Sequence, residues 1–515
     1  MTEAERRRDN AICDRLMREG IQGFPEPEQA SRVSQLAYLS AGLDRKEGIE
    51  CALNWFEALE NGGIQGGLRA ALDYDWANAI AVKRYGTRWQ WEQPTLAKEI
   101  FHLRRAISNA SFEEMAVAFR CQCLNNLGNR LRVAGRYIEA IECWERVLQL
   151  EPNFGMALCN RALFLPEYAY ALEDVVTRDL FYWVAHREAT AALAPTAVYT
   201  KPDRDLGTLE KVKERKEWIE SFLKIEEISA VNPFEYEDNS ATDEERDYRR
   251  WCFDRRLFLG PLNDLGKYST GTTDSLGLAA HLVPLDSPYI FASFFDQMEQ
   301  EYVSARWMLY QGVVQRQPHF SDKDVFLQTT EPRPSLCLAV EYVKVAYRMA
   351  YSIFDKISFF INVYMALGIP ERKVSFRALW QTDKGKLLRK EFDTANNWAF
   401  CGLYWVGKDF FEKANDDVAE PEARGLSEIR NYLEHKYLRV TVGDSPVAPP
   451  DDLAFMVSRR EFEAKALHLL KLARCALIYL TIGVGFEERR REPARAGVPL
   501  EDIPETPYLA DSEKC

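Results

Sequence analysis

The sequence predicts an all-α protein with two parts, an N-terminal array of helical repeats and a C-terminal helical bundle. Apolar residues recur at helical spacing through most of the chain, and one segment has the pattern of a tight helical hairpin. The C-terminal part contains several long helical patterns and no convincing strand. The composition, 47% hydrophobic and 28% charged, is typical of a soluble globular protein, and 515 residues are enough for about two to four domains.

The hairpin pattern occupies the segment LNNLGNRLRVAGRYIEAIECWERVLQLEPNF, which begins at Leu124. Gly128 and Ala140 are small residues where two antiparallel helices must approach each other, Gly135 supplies the turn, and Pro152 ends the second helix. The apolar faces consist of Leu124, Leu127 and Leu131 on the first helix and Tyr137, Ile141, Trp144 and Leu148 on the second. The segment resembles a tetratricopeptide repeat, whose helix–turn–helix pattern of about 34 residues it matches at most positions.

Weaker copies of this pattern flank the hairpin. Residues 47–59 resemble the second helix of an earlier repeat, residues 97–107 could end a divergent middle one, and residues 192–195 resemble a later repeat end. Stacked repeats bury their faces against neighbours, so about three or more units are expected. The alternative is a generic array of helical hairpins without a binding groove.

The chain divides into four predicted segments. Residues 1–225 form the tetratricopeptide-like repeat domain, and residues 226–285, which are acidic and lack an apolar period, form a linker and irregular connecting segment. Residues 286–490 form the helical bundle, with helices over 335–367, 394–413, 422–439 and 458–490. Ser287 and Pro288 predict an N-terminal cap for its first helix, and Ser458 with Glu461 a capping box for its last. Residues 491–515 form a loosely ordered tail.

Charge and cysteine content limit the class of protein. The chain has 66 Lys and Arg against 79 Asp and Glu, a net charge of −13, which argues against non-specific coating of nucleic acid but not against a local basic cleft. The eleven cysteines contain no CxxC pair, which predicts a reducing compartment and hence a cytoplasmic location.

The apolar stretch 466–486 is interrupted by charges, which predicts a buried helix and no membrane partner. The histidines lack ligand spacing, so neither a metal site nor a cofactor is predicted.

The residues expected to carry chemistry lie in GLSEIRNYLEHKYLRV, within the predicted helix 422–439. The pattern Arg430-Asn431-x-x-x-His435, on the penultimate helix of a bundle, resembles the signature of the HEPN superfamily of metal-independent ribonucleases. With its repeats, the chain resembles the bacterial HEPN proteins that carry N-terminal tetratricopeptide repeats. The resemblance implies catalytic roles for Arg430, Asn431 and His435, an RNA substrate, a homodimer through the bundle, and a toxin-like or phage-defence setting.

Helical geometry predicts how this motif is oriented. At about 100° per residue, Asn431 and His435 lie one turn apart and almost opposite the apolar stripe, with Arg430 at the edge of that stripe. The stripe consists of Leu426, Ile429, Leu433, Tyr437 and Val440. His435 is therefore expected to point away from the core of its own bundle. The remaining alternative is a solvated surface histidine beside a solvated arginine.

These residue types suit RNA cleavage by a ribose 2′-OH. Histidine titrates near neutral pH and can act as the base or the acid, and a guanidinium binds the phosphate oxygens that gain charge. Asn431 could orient the imidazole or bind phosphate. Because one helix carries a single set, a second bundle is expected across a two-fold axis. The interface is expected beside the motif, where Trp398, Tyr404 and Trp405 lie.

Two hypotheses compete with the ribonuclease. The chain could be a non-catalytic adaptor, which binds a protein or peptide in its repeat groove and dimerises through the bundle. It could also be a partner of a nucleotidyltransferase, as some HEPN proteins are. The intact Arg430 and His435 favour the enzyme, because an adaptor does not require them.

Overall fold

The computed structural model describes residues 2–60, 62–84, 91–199, 206–230, 240, 242–266, 273–278, 283–284, 290–325, 334–382, 387–393, 397–409, 419–421, 423–443, 453–491 and 500–501. The chain forms two compact units. The repeat unit consists of Met1–Pro166, Tyr182–Ile225 and Tyr404–Ser427, and the bundle unit of Glu167–Phe181, Glu226–Leu403 and Glu428–Cys515. Each unit therefore consists of three separate segments of the chain.

Helices dominate the described residues, and the predicted all-α class is confirmed. The helices are α1 (Glu3–Glu19), α2 (Glu26–Leu43), α3 (Lys46–Glu60), α4 (Gly66–Arg84), α5 (Pro94–Ile107), α6 (Val117–Val133), α7 (Tyr137–Leu150), α8 (Gly155–Ala169), α9 (Val175–Leu193), α10 (Leu206–Glu220), α11 (Ile225–Ala230), α12 (Asp243–Asp254), α13 (Ile290–Val314), α14 (Leu338–Tyr364), α15 (Lys390–Asp393), α16 (Trp398–Gly407), α17 (Ala423–His435) and α18 (Arg459–Arg491).

Three short strand pairs accompany them. The strands are β1 (Val283–Pro284), β2 (Gln381–Thr382), β3 (Leu387–Leu388), β4 (Tyr437–Thr441), β5 (Ala454–Ser458) and β6 (Leu500–Glu501). β1 pairs with β6 and β2 with β3, both antiparallel, and β4 runs parallel to β5.

The predicted repeat hairpin is α6 followed by α7. Gly135 occupies the turn with φ 76°, a left-handed conformation that glycine adopts without strain. A Cβ added at Gly128 would lie 2.5 Å from Nε1 of Trp144, so only glycine allows the two helices to approach this closely. Trp144 is fully buried, and α7 ends at Leu150, before Pro152. The residues selected from the sequence therefore close the hairpin as predicted.

Further hairpins extend the array in the repeat unit. Helices α2 and α3 form one, with Asp44 in a left-handed conformation at the turn and Gly48 so close to the Ser40 hydroxyl that a Cβ would lie 2.1 Å from it. Helices α4 and α5 form the next. The predicted helical segments 47–59 and 97–107 fall within α3 and α5. Leu36, Phe56 and other buried residues of α1–α4 form a continuous core.

Helices α13, α14 and α18 form the centre of the bundle unit. Gly312 brings α13 against α14, because a Cβ there would lie 2.6 Å from Cγ2 of Val343. The predicted cap of α18 is present, since the Ser458 hydroxyl accepts a hydrogen bond from the Glu461 amide at 3.1 Å. Among the described helices, α18 has the length and composition to span a membrane, and 89% of its most apolar window is buried inside the protein.

The predicted connecting segment 226–285 contains helix α12 among its described residues. Thr242 caps α12, and Trp251 of α12 is buried. The Arg306 guanidinium, itself buried, forms a bidentate pair with Asp274 at 2.7 Å and donates to the Leu257 carbonyl. This ion pair connects the segment to α13.

The structure also corrects two helix boundaries and the expectation of no strands. The motif helix α17 ends at His435 and not at 439, because the residues of YLRVT form β4. In this strand Leu438 and Val440 are buried, whereas Tyr437 is exposed and Arg439 half-buried. The helix predicted over 394–413 is α16, which ends at Gly407. Ser287 and Pro288, and most of the predicted tail 491–515, lie outside the described residues.

Candidate functional site

The three motif residues lie in the last turns of α17. Leu426, Ile429 and Leu433 form the buried face of this helix, whereas Asn431 and His435 are exposed and Arg430 is half-buried. The structure thus places Asn431 and His435 away from the core, as helical geometry predicted. Tyr437 and Val440, assigned to the same helical stripe, belong instead to β4, where Tyr437 is exposed and Val440 buried.

The end of α17 is held from two sides. The Arg348 guanidinium on α14 donates to the Leu433 carbonyl and lies 3.4 Å from the Glu434 carboxylate. On the other side, the ring of Tyr432 lies 5.5 Å from that of Phe455 in β5. The three residues that make these contacts directly precede His435, which is the last residue of the helix, so the imidazole projects from an anchored turn.

Arg430 lies against α14. Its guanidinium carbon lies 5.3 Å from the ring centre of Tyr351, and its Nη1 donates a hydrogen bond of 3.4 Å to Oδ1 of Asn431. A cation above an aromatic ring is attracted by the electrons of the ring face. Asn431 and Tyr351 together restrict Arg430 to the side of α17 that faces α14.

A carboxyl group lies within electrostatic range of the same guanidinium. Burial raises the pKa of Asp355 above its ordinary value, and the positive charge of Arg430 opposes this increase. Burial also raises the pKa of the Tyr351 phenol, again opposed by Arg430. The site therefore combines an exposed imidazole and amide with a half-buried guanidinium beside a carboxyl group.

Sequence reasoning missed the contribution of α14. Asp355 and Lys356 are adjacent charged residues on the otherwise apolar helix α14. Lys356 pairs with Glu301 of α13 at 2.7 Å, whereas Asp355 lies within electrostatic range of Arg430. The available signal was the recurrence of polar groups at positions 348, 351 and 355 on one face of an otherwise apolar helix.

An open groove of about 640 Å³ lies elsewhere in the bundle unit. Its lining includes Arg316, Ser335, Val442, Arg459 and Arg460, and none of the three motif residues. Glu463 pairs with both Arg316 and Arg459. The groove is therefore separate from the motif.

Among the described residues, no group of three or more His, Cys, Asp or Glu side chains is placed to hold a metal ion.

The aromatic surface expected to mediate dimerisation is not a surface in the structure. Tyr404 and Trp405 are buried within the repeat unit, where the indole of Trp405 donates to the Trp91 carbonyl at 3.0 Å. Trp398 is half-buried in the bundle unit and packs against Tyr479. These side chains are already engaged within the chain, so this part of the interface prediction is wrong.

Comparison with known proteins identifies two parts of the chain. Residues 284–487 match a family model described as LA2681-like HEPN, and residues 121–154 match the tetratricopeptide repeat. The chain therefore combines a tetratricopeptide repeat with a HEPN-family domain, as predicted. No curated protein and no solved structure matches it. The HEPN-family domain indicates a nuclease or another RNA-related function, and the repeat indicates interaction with protein.

Proposed function

We propose that this protein is a metal-independent endoribonuclease that cleaves RNA by attack of a ribose 2′-OH on the adjacent phosphate. The observation that supports the proposal most directly is the arrangement at the end of α17, inside the HEPN-family match. An exposed imidazole, an exposed amide and a restrained guanidinium lie within two turns of one anchored helix. These groups can supply proton transfer and phosphate binding.

In the proposed reaction, the 2′-oxygen forms a bond to phosphorus as the bond from phosphorus to the 5′-oxygen of the next nucleotide breaks. One His435, in its neutral form, accepts the proton of the 2′-OH, and the partner subunit's His435, in its protonated form, donates a proton to the departing 5′-oxygen. Arg430 binds the non-bridging phosphate oxygens as their negative charge increases. Asn431 orients Arg430 through its side-chain oxygen and presents its amide to the phosphate. The products are a 2′,3′-cyclic phosphate and a 5′-OH.

The proposal includes a homodimer, because each chain supplies one His435 while the reaction uses a base and an acid. The exposed position of His435 at the end of α17 allows a second copy to bring its own imidazole to the same phosphate. The tetratricopeptide repeats would act as the sensor or docking surface for a protein partner. We further propose a cytoplasmic, toxin-like or phage-defence role, which rests on the family resemblance alone.

The central experiment incubates the purified full chain with mixed RNAs and compares it with two histidine variants. His435→Ala should reduce cleavage by about 10²–10⁴-fold, the usual contribution of a general acid or base. His186→Ala is the matched control, because His186 lies on α9 in the repeat unit and pairs with Glu220. Equal activity of His435→Ala and wild type would contradict the assignment.

The adaptor hypothesis remains the second candidate, supported by the tetratricopeptide hairpin formed by α6 and α7. It predicts that the wild-type chain leaves every RNA intact. It also predicts that a protein partner is retained equally by wild type and His435→Ala. The same two proteins therefore separate the two candidates.

A further inference from the structure

Arg104 on α5 joins the repeat helices to the segment that leads into the motif helix. Its guanidinium forms a bidentate pair with Asp409, at 2.7 and 3.3 Å, donates to the Ala419 carbonyl at 3.1 Å and lies 3.1 Å from the Glu420 carboxylate. Asp409 and Ala419 are fully buried, and the Arg104 side chain is 11% exposed. A single side chain thus binds three acceptor residues.

These three acceptors belong to Tyr404–Ser427, a segment inside the HEPN-family match that lies in the repeat unit. Arg136, the residue before α7, also binds Asp409 at 2.6 Å. Burial alone would raise the pKa of Asp409, but Arg104 and Arg136 hold it below its ordinary value. Buried ion pairs therefore connect Asp409 to α5 and to the residue that precedes α7.

The residues that Arg104 contacts lie between the end of α16 and the start of α17, the motif helix. Asp409 lies two residues after the end of α16, and Glu420 lies three residues before Ala423, where α17 begins. The same helix carries Arg430 and His435 further along. Glu420 is therefore the partner of Arg104 that lies nearest in sequence to the helix that carries the motif.

We propose that Arg104 is a positioning residue for the motif helix, through which the repeats set the activity of the HEPN-family site. The kinetic consequence rests on the proposed ribonuclease function, whereas the structural consequence does not. Loss of Arg104 should loosen the first turns of α17. A protein that binds the repeats and moves α5 would act on the motif by the same route.

Hydrogen exchange of the full chain tests the proposal, with an adjacent arginine as the control. Arg104→Gln should accelerate amide exchange of α17 by about tenfold, which corresponds to a loss of about 1.4 kcal/mol of local stability. Arg105→Gln is matched in helix and in buried ion pairs, but its partners are Asp73 and Glu60 within the repeats. Arg105→Gln should leave exchange in α17 unchanged.

Two results would overturn the proposal: wild-type exchange of α17 in Arg104→Gln, or equal acceleration by Arg105→Gln. If Arg104→Gln does not fold, Glu420→Gln decides instead, because it removes the ion pair nearest α17 and leaves Arg104 with Asp409 and Ala419. Faster exchange of α17 in that variant supports the proposal, and unchanged exchange contradicts it.

Kinetics supply the second readout. In Arg104→Gln, kcat for RNA cleavage should fall about tenfold, because the motif helix that carries both His435 and the phosphate-binding Arg430 is displaced. An equal kcat in Arg104→Gln and Arg105→Gln would refute the functional role. If the wild-type chain cleaves no RNA, the proposed function fails, while the exchange measurement still decides whether Arg104 positions α17.

Discussion

Arg430→Ala should destabilise the protein more than His435→Ala, although both residues belong to the same motif. Arg430 is half-buried above Tyr351, and a partly exposed cation–π contact contributes about 0.5–1 kcal/mol. Its charge also offsets the burial of Asp355, which adds about 0.5 kcal/mol after discounting for solvent screening. His435 is exposed, and substitutions at such positions cost about 0.5 kcal/mol or less.

The difference is measurable as a thermal midpoint. With about 2–4 °C per kcal/mol for a domain of this size, Arg430→Ala should lower the midpoint by about 2–6 °C and His435→Ala by at most about 2 °C. Equal midpoints for Arg430→Ala and wild type at pH 7 would refute this account of the site. A cost that persists fully in an Asp355→Asn background would refute the role of the carboxyl.

The pH dependence follows from the direction of the Asp355 shift. A carboxyl whose pKa is raised by folding binds its proton more tightly in the folded state, so its charge destabilises the fold above that pKa. Arg430→Ala should raise the pKa further and enlarge this penalty at neutral pH. The difference in midpoint between wild type and Arg430→Ala should therefore shrink as the pH falls below the folded pKa. A constant difference from pH 8 to pH 4 would contradict the sign.

Three further predictions concern the reaction, the assembly and the hairpin. RNA cleavage should survive EDTA and leave 2′,3′-cyclic phosphate ends; activity lost with the chelator and restored by Mg²⁺ would replace this chemistry with a metal-assisted one. Light scattering should give a dimer near twice 59.4 kDa. If the two copies share one cleft, mixing Arg430→Ala with His435→Ala chains should give an RNA-cleavage activity that differs from that of either variant alone. A monomer that cleaves RNA at the full rate would rule the shared cleft out. Gly128→Ala should lower the free energy of unfolding, measured in urea, by about 1–3 kcal/mol, because the new Cβ meets the Trp144 side chain. Gly42→Ala is the control and should not destabilise the fold, because no atom lies within 4 Å of a Cβ at that position.

The hairpin and the orientation of the motif were accessible from sequence because both depend on local periodicity. Gly128, Gly135 and Trp144 are neighbours within one hairpin, and Asn431 and His435 are one helical turn apart. The helix end was missed because the residues after His435 continue the apolar stripe at both helical and strand spacing. Their parallel pairing with β5, from a later part of the chain, decides the outcome.

The partners of Arg430 and Arg104 could not be predicted in the same way. Tyr351 and Asp355 are separated from Arg430 by a long stretch of chain, and Asp409 is 305 residues from Arg104. Charged residues carry no periodic signal that assigns them to a buried site, so only the folded chain shows which pairs meet. The burial of Tyr404 and Trp405 was not predictable either, because their partners Glu92 and Trp91 lie 312 and 314 residues earlier in the chain.

The ion pairs of Asp409 limit how the protein can be dissected. A fragment that ends at residue 225 keeps Arg104 and Arg136 but loses their shared counter-ion, and removing one partner of a buried pair costs about 3–5 kcal/mol. A fragment cut to the boundaries 284–487 keeps Asp409 and loses both arginines. Homology boundaries therefore do not coincide with units that can be exchanged intact. A recombined chain that keeps these buried ion pairs must therefore contain Arg104 and Arg136 as well as Asp409.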